Sequence, residues 1–193
     1  IWDASKVVIA TDHFVPPNDQ TEVEIARVTR DFARDRGVAK YHEAEGICHI
    51  VPLERGYVLP GTLFVGADSH STTAGVMGAF AVPVGVTEML GVFVTGQIWL
   101  KVPETTRIEW AGTLAEGCMA KDMVLTILGE IGDDGATYQA LEYGGDAVYA
   151  LPFDERIVLT NMAMEHGAKT GIIPLDEVAF ALIGGRGRDT AAY

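Results

Sequence analysis

The sequence has 193 residues, 48% apolar and 21% charged, enough for one sizeable core or two small ones in a globular protein of ordinary composition. A net charge of −13, from 27 acidic against 14 basic residues, excludes a broad phosphate-binding surface, so nucleic acid is not an expected partner. Nor is a membrane: no apolar run approaches spanning length, and the first residues do not read as a leader.

In chain order, Lys6 to Ala10 reads as a strand that runs into Thr11-Asp12-His13, and Pro16-Pro17-Asn18-Asp19 reads as a turn. Thr21-x-x-Glu24 predicts a capping box for a helix with Val23, Ala26, Val28, Phe32 and Ala33 on its apolar face and Gly37 at its end. Its charges (Arg27, Arg30, Asp31, Arg34, Asp35, Arg36) read as a solvated face. Gly46 to Val58 is open between short helix and strand, with Pro52 arguing against a regular ladder. Leu63 to Val65 has the composition of a buried strand end, broken by Gly66 and followed by Asp68, Ser69 and His70. Ser71, Thr72 and Thr73 then offer N-cap oxygens to a small-residue run, Ala74 to Val84. Two closely packed helices are expected between Ala74 and Leu100, the second over Val86–Trp99.

Thr105 to Trp110 alternates like a strand. Ala120 to Ile131 is an amphipathic helix with Met123, Val124, Ile127, Leu128 and Ile131 on one face and Gly132 at its end. A strand over Gln139–Tyr143, a helix over Asp154–His166, a short strand over Gly171–Pro174 and a helix over Asp176–Ile183 complete the chain. In the helix from Asp154, Asn161 and Glu165 stand four apart and share a face. Alternating strands and helices, with no repeat or clear linker, predict a parallel α/β sheet with helices on its faces.

Chemistry concentrates at the junctions. A strand, a polar turn and a helix start meet at Gly66–Thr73, where open α/β sheets place their ligands. Three of the five histidines, His13, His49 and His70, fall where apolar runs meet polar ones; an N-cap with incidental surface histidines is the competing reading. Cys48 and Cys118 lack metal-type spacing and no Cys-x-x-Cys occurs, which suits a reducing cytoplasm and gives no self-sufficient zinc or iron–sulfur site.

Thr11-Asp12-His13-Phe14-Val15-Pro16, Glu45-Gly46-Ile47-Cys48-His49 and Gly66-Ala67-Asp68-Ser69-His70-Ser71-Thr72 closely resemble the large subunit of 3-isopropylmalate dehydratase and homoaconitase, in the aconitase superfamily. Lys101-Val102-Pro103-Glu104-Thr105, Ala120-Lys121-Asp122, Asp134-Gly135-Ala136-Thr137 and Asn161-Met162-Ala163-Met164-Glu165-His166-Gly167-Ala168 extend the likeness from Trp2 to about Gly184. The resemblance implies an aconitase-like three-layer αβα fold with a mainly parallel sheet. Residues 1–193 would form one such region, parts of two family domains with a soft boundary near 100–105.

The implied reaction is reversible loss of water from a hydroxy-dicarboxylate or tricarboxylate, of isopropylmalate or homocitrate type, as in leucine biosynthesis. By motif, His13 would be the acid on the leaving hydroxyl with Asp12 beside it, and His49 would pair with Asp68. His70 would be oriented by Glu165, Ser69 would contact a substrate carboxylate, and Asn161 would sit near the cofactor. That cofactor, a 4Fe-4S cluster on three cysteines, has its ligands in motifs this chain lacks, so none is expected on the chain alone. The expected partners are the rest of the large subunit, a small swivelling subunit or domain that brings a serine base, and the substrate. His42 and His166 have no matched role and read as structural or surface residues. Two other readings stand beside the enzyme. One is a cluster-free scaffold that self-associates through exposed edges. The other is a mononuclear metal site among Asp12, His13, His49, Asp68 and His70.

Overall fold

In the computed structural model, which describes residues 1–184, every strand pairing among the described residues is parallel. The strands form three small sheets: β1 (Val8–Thr11) with β2 (Lys40–Glu43), β3 (Leu63–Gly66) with β4 (Phe80–Pro83), and β5 (Thr105–Glu109), β6 (Ala140–Gly144) and β7 (Thr170–Ile172) in that order. The helices are α1 (Gln20–Asp35), α2 (Val51–Glu54), α3 (Val86–Thr95), α4 (Ala120–Ile131), α5 (Asp146–Ala150), α6 (Phe153–Asn161) and α7 (Glu177–Gly184). Parallel neighbours need a crossover. α1 makes it for the first sheet and α4 for β5 to β6; a 3-10 segment, Ser69–Met77, makes it for the second. The α/β class and the parallel pairing are as expected, with the strands shared among three sheets.

The larger core is built around Ser69–Met77, whose residues from Ser71 onward are buried between α6, β4 and β7. Gly75 explains how a main chain fits there: a Cβ on it would stand 1.7 Å from the Gly171 carbonyl oxygen. Only a residue without a side chain lets the two backbones meet, and Ile173 N–H donates to Gly75 O across the contact at 3.2 Å. Val76, Val124, Leu141, Tyr143, Val148 and Leu159 fill the space around it. The smaller core, between β1, α1 and β2, contains Val7, Ala33 and Val38 with Ile9, Tyr41 and Phe93 packed on them.

Several local expectations change. Residues 74–84 do not form a helix: 3-10 turns end at Gly78, in left-handed conformation with φ of 68°, and the chain continues as β4. Small residues suit a crowded backbone as well as they suit close-packed helices, so composition could not separate the two. Ser71 and Thr73 do not act as N-caps. Their hydroxyls donate to the Asp68 and His70 carbonyls, and Asp68 is the cap, accepting from His70 N–H at 2.8 Å. At α1 the cap is Asp19 rather than Thr21. Asp19 accepts from Glu22 N–H at 2.9 Å while the Glu22 carboxylate reaches back to Asn18 N–H, and aspartate outranks threonine at this position. The first strand begins at Val8, because Ala4–Lys6 is a 3-10 turn capped by Asp3. Gly46–Val58 resolves to the short helix α2. The helix expected over Asp154–His166 ends at Asn161 and tightens into a 3-10 turn, Met162–His166. No helix among the described residues is long and apolar enough to cross a membrane.

Candidate active site

Three chain segments bring the site together. β1 ends at Thr11 and delivers Asp12 and His13; the loop before α2 delivers Cys48 and His49; β3 ends at Gly66 and delivers Asp68, Ser69 and His70. Asp68 is the hub. Its carboxylate lies 3.2 Å from His49 Nδ1, 3.8 Å from His13 Nε2 and 3.9 Å from His70 Nδ1. The His49 and His70 rings tilt against each other with centroids 6.0 Å apart. All three junction histidines therefore converge on one carboxylate.

Each imidazole also has its own partner. His13 Nδ1 is 2.6 Å from Asp12 Oδ1, and the other Asp12 oxygen accepts the Cys48 backbone N–H at 2.7 Å. His70 Nε2 is 3.2 Å from Glu165 Oε1, and Ser69 Oγ is 3.2 Å from His70 Nδ1. Asn161 is tied to the Ser69–Met77 segment: its side-chain amide donates to Thr73 Oγ1 at 2.8 Å, and its backbone carbonyl accepts from the Thr72 hydroxyl at 3.2 Å. The 3-10 turn after α6 thus lets Asn161 and Glu165 both face the Ser69–Met77 segment without the regular helix that was expected. Beside His13, Phe14 is held at φ of 58°, a conformation that costs about 1–3 kcal/mol where the surroundings impose it.

The environment separates the imidazoles. The hydrogen bond and charge of Asp12 raise the pKa of His13, whose side chain is 66% exposed. His49 is shifted down, by burial first and by the neighbouring His70 and His13, against the pull of Asp68. Burial would raise Asp12, but the Cys48 amide and the His13 imidazole outweigh it and hold the carboxyl below its usual range. The Cys48 thiol is pushed up to about 12 by burial and by the Asp12 and Asp68 carboxylates. One imidazole is thus shifted toward its charged form and a second toward its neutral form within a single cluster, a difference in the direction that acid and base roles require.

Every sequence-predicted site residue lies in or beside this cluster. His42 and His166 lie outside it: His42 pairs with Glu45 and the Tyr57 hydroxyl, and His166 is buried. Sequence reasoning missed the Cys48 amide as the anchor of Asp12 and Thr73 as the anchor of Asn161. Neither had a local signal, because those partners stand 36 and 88 residues apart. A 4Fe-4S cluster on three cysteines does not fit the residues present. The chain has two cysteines, and each metal-ligating group among the described residues, Asp12–His13–Cys48 and Cys48–His49–Asp68, includes one.

The model of the Aconitase family (aconitate hydratase) matches residues 4–193. The large subunit 1 of 3-isopropylmalate dehydratase from Methanopyrus kandleri is 48% identical over 92% of this chain and 43% of its own length. A probable methanogen homoaconitase large subunit from Methanosarcina mazei is 46% identical over 100% of this chain and 49% of its own length. The 3-isopropylmalate dehydratase large subunit of Syntrophus aciditrophicus is 42% identical over 95% of the chain and 44% of its own length. The chain thus spans somewhat under half the length of the curated relatives it matches. With a match that runs through all three segments of the histidine cluster, this chain belongs to the aconitase family.

Proposed function

We propose that this chain supplies the proton-handling side chains of a hydro-lyase that removes and re-adds water on a hydroxy-dicarboxylate or hydroxy-tricarboxylate of isopropylmalate or homocitrate type. The observation that carries this reading is the convergence of His13, His49 and His70 on Asp68. Loss of a hydroxyl from carbon needs a proton at the departing oxygen. His13 is suited to give it: Asp12 fixes Nδ1 and favours the charged ring, and Nε2 faces the shared carboxylate. On rehydration the same nitrogen takes the proton back from water. General-acid help of this kind is worth about 10²–10⁴-fold.

His49, shifted by burial toward its neutral form, and Asp68 form an accepting pair beside the hydroxyl. Glu165 orients His70, which with Ser69 faces a substrate carboxylate. Asn161, tied to Thr73, would border the cofactor. The base that removes the carbon-bound proton would come from the rest of the large subunit or from a small swivelling subunit. The 4Fe-4S cluster implied by the family would need cysteines from there as well. The two unpaired cysteines support a reducing cytoplasm as the setting.

The test is the complete enzyme carrying His13→Ala. Turnover is expected to fall about 10²-fold or more with KM little changed, because a leaving-group acid acts in the transition state. A rise in KM with kcat intact would remove His13 from this role.

A second reading, a non-enzymatic module that binds partners, is favoured by α3. Val86, Leu90 and Val94 stand four apart on that helix and are 83%, 62% and 64% exposed; Trp99 and Val102 just beyond are 84% and 88% exposed. Light scattering of the purified chain decides it. Stable self-association without lyase activity in the complete complex would favour the module, and a monodisperse monomer would count against it.

A further inference from the structure

Cys48 Sγ lies 3.3 Å from His49 Nδ1, and that nitrogen lies 3.2 Å from Asp68 Oδ1. Ligand atoms of the three residues all fall within 4.8 Å of one another, and none of the three residues is fully exposed. A tetrahedral zinc ion with ordinary bond lengths would set sulfur and nitrogen about 3.6 Å apart, and nitrogen and oxygen about 3.4 Å apart. The sulfur–nitrogen and nitrogen–oxygen pairs already stand within a few tenths of an ångström of that spacing, and the sulfur and the carboxylate oxygen lie within 4.8 Å of each other. A ring nitrogen carries either one proton or one lone pair, so Nδ1 serves the thiol or the carboxylate but not both. A cation between the three serves all of them.

We propose that Cys48 Sγ, His49 Nδ1 and Asp68 Oδ1 form a three-donor site for a thiophilic divalent cation of the zinc class, with the fourth position open to water. The thiol loses its proton to solvent as the metal–sulfur bond forms, so binding strengthens as pH rises. Asp12 steadies the site from behind: it accepts the Cys48 amide N–H, and its carboxylate joins His13 and Cys48 in a second ligand group that shares the sulfur. Thiolate with imidazole selects zinc over magnesium or calcium, which prefer oxygen donors alone. Occupation removes His49 and Asp68 from the acid–base work proposed above, so a bound zinc ion inhibits the hydro-lyase. The site itself does not depend on that reading.

The test uses the isolated chain, reduced and titrated anaerobically with Co²⁺ and then Zn²⁺. One equivalent of cobalt is expected to give the strong visible bands of a tetrahedral ion and a thiolate-to-cobalt charge-transfer band, both abolished by zinc. Cys48→Ser removes the charge-transfer band and weakens cobalt binding about ten-fold or more, whereas Cys118→Ser leaves both intact. His49→Gln, checked with Cys48→Ser for native circular dichroism, weakens binding while keeping the sulfur band. A weak octahedral spectrum, or a charge-transfer band that survives Cys48→Ser or disappears with Cys118→Ser, overturns the site. No substrate enters the measurement, so its failure leaves the hydro-lyase reading standing.

Discussion

The β1–α1–β2 unit and the body around Ser69–Met77 are held together by different means. In the body, apolar side chains from β6, α4, α5 and α6 close over a buried backbone, and Arg156, 1% exposed, donates from each of its three side-chain nitrogens. It donates to the Asp176 carboxylate at 2.7 Å and to the Leu151 and Tyr149 carbonyls, fastening the start of α7 to α6. In the β1–α1–β2 unit, α1 buries only Ala33, while Val23, Ile25 and Val28 are about half exposed. Ion pairs spread over its surface, such as Arg30 with Glu43, add little. The site straddles this divide. Asp12 and His13 ride on the thin unit; Asp68, His70 and Glu165 ride on the thick one. A local opening of the thin unit separates the proposed acid from its carboxylate hub without unfolding the rest.

The largest loss of stability is expected in the body, at Arg156. Arg156→Ala takes the guanidinium from Asp176, which keeps only backbone donors such as Ala179 N–H, and from two carbonyls, and equilibrium denaturation should show a loss of about 3–5 kcal/mol. In the thin unit, Val38→Ala should cost about 1–2 kcal/mol. Hydrogen exchange should show β1 amides opening faster than those of β6 even in the unsubstituted chain, and Val38→Ala should widen the gap; equal protection in the two strands would erase the distinction. His166 sharpens the comparison from the body side. Burial lowers its pKa from 6.5, and the Gly132 backbone, which favours the charged ring, does not offset this. A histidine with a depressed folded pKa stabilises the fold above its unfolded value. Stability should therefore fall as pH drops from about 6.5 through the folded pKa, a slope to which His49 also contributes and which His166→Leu makes shallower while β1 exchange is unaffected. Smallest of all is Arg30→Ala, whose effect on the denaturation midpoint should vanish in high salt.

What could be read from the chain was local. The strand before the polar break at Gly66 and the helix over Ala120–Ile131 each form where a few residues announce them, but Leu63 is exposed rather than buried, and the buried face of α4 is Met123, Val124 and Ile127, with Ile131 exposed at its end. The gathering of the histidines was legible in part: His13 and His70 come after apolar runs that end as β1 and β3, whereas His49 sits inside an apolar segment that forms the loop before α2. What stayed hidden depends on partners far along the chain. Gly75 reads as one member of a small-residue run until Gly171 comes against it, and nothing beside Arg156 in the chain announces Asp176, twenty residues on. The N-cap of α1 was misplaced for a nearer reason: two acceptable caps stand two residues apart, and the stronger one took the role.

The tether between Asp12 and position 48 includes the main-chain N–H, which donates at 2.7 Å beside a thiol that also interacts with the carboxylate. Nineteen of the genetically encoded residues keep that donor, and proline alone does not. Mutational scanning of this position should therefore separate two phenotypes: nearly every replacement abolishes sulfur chemistry with the acid still anchored, and Cys48→Pro by itself cuts the anchor.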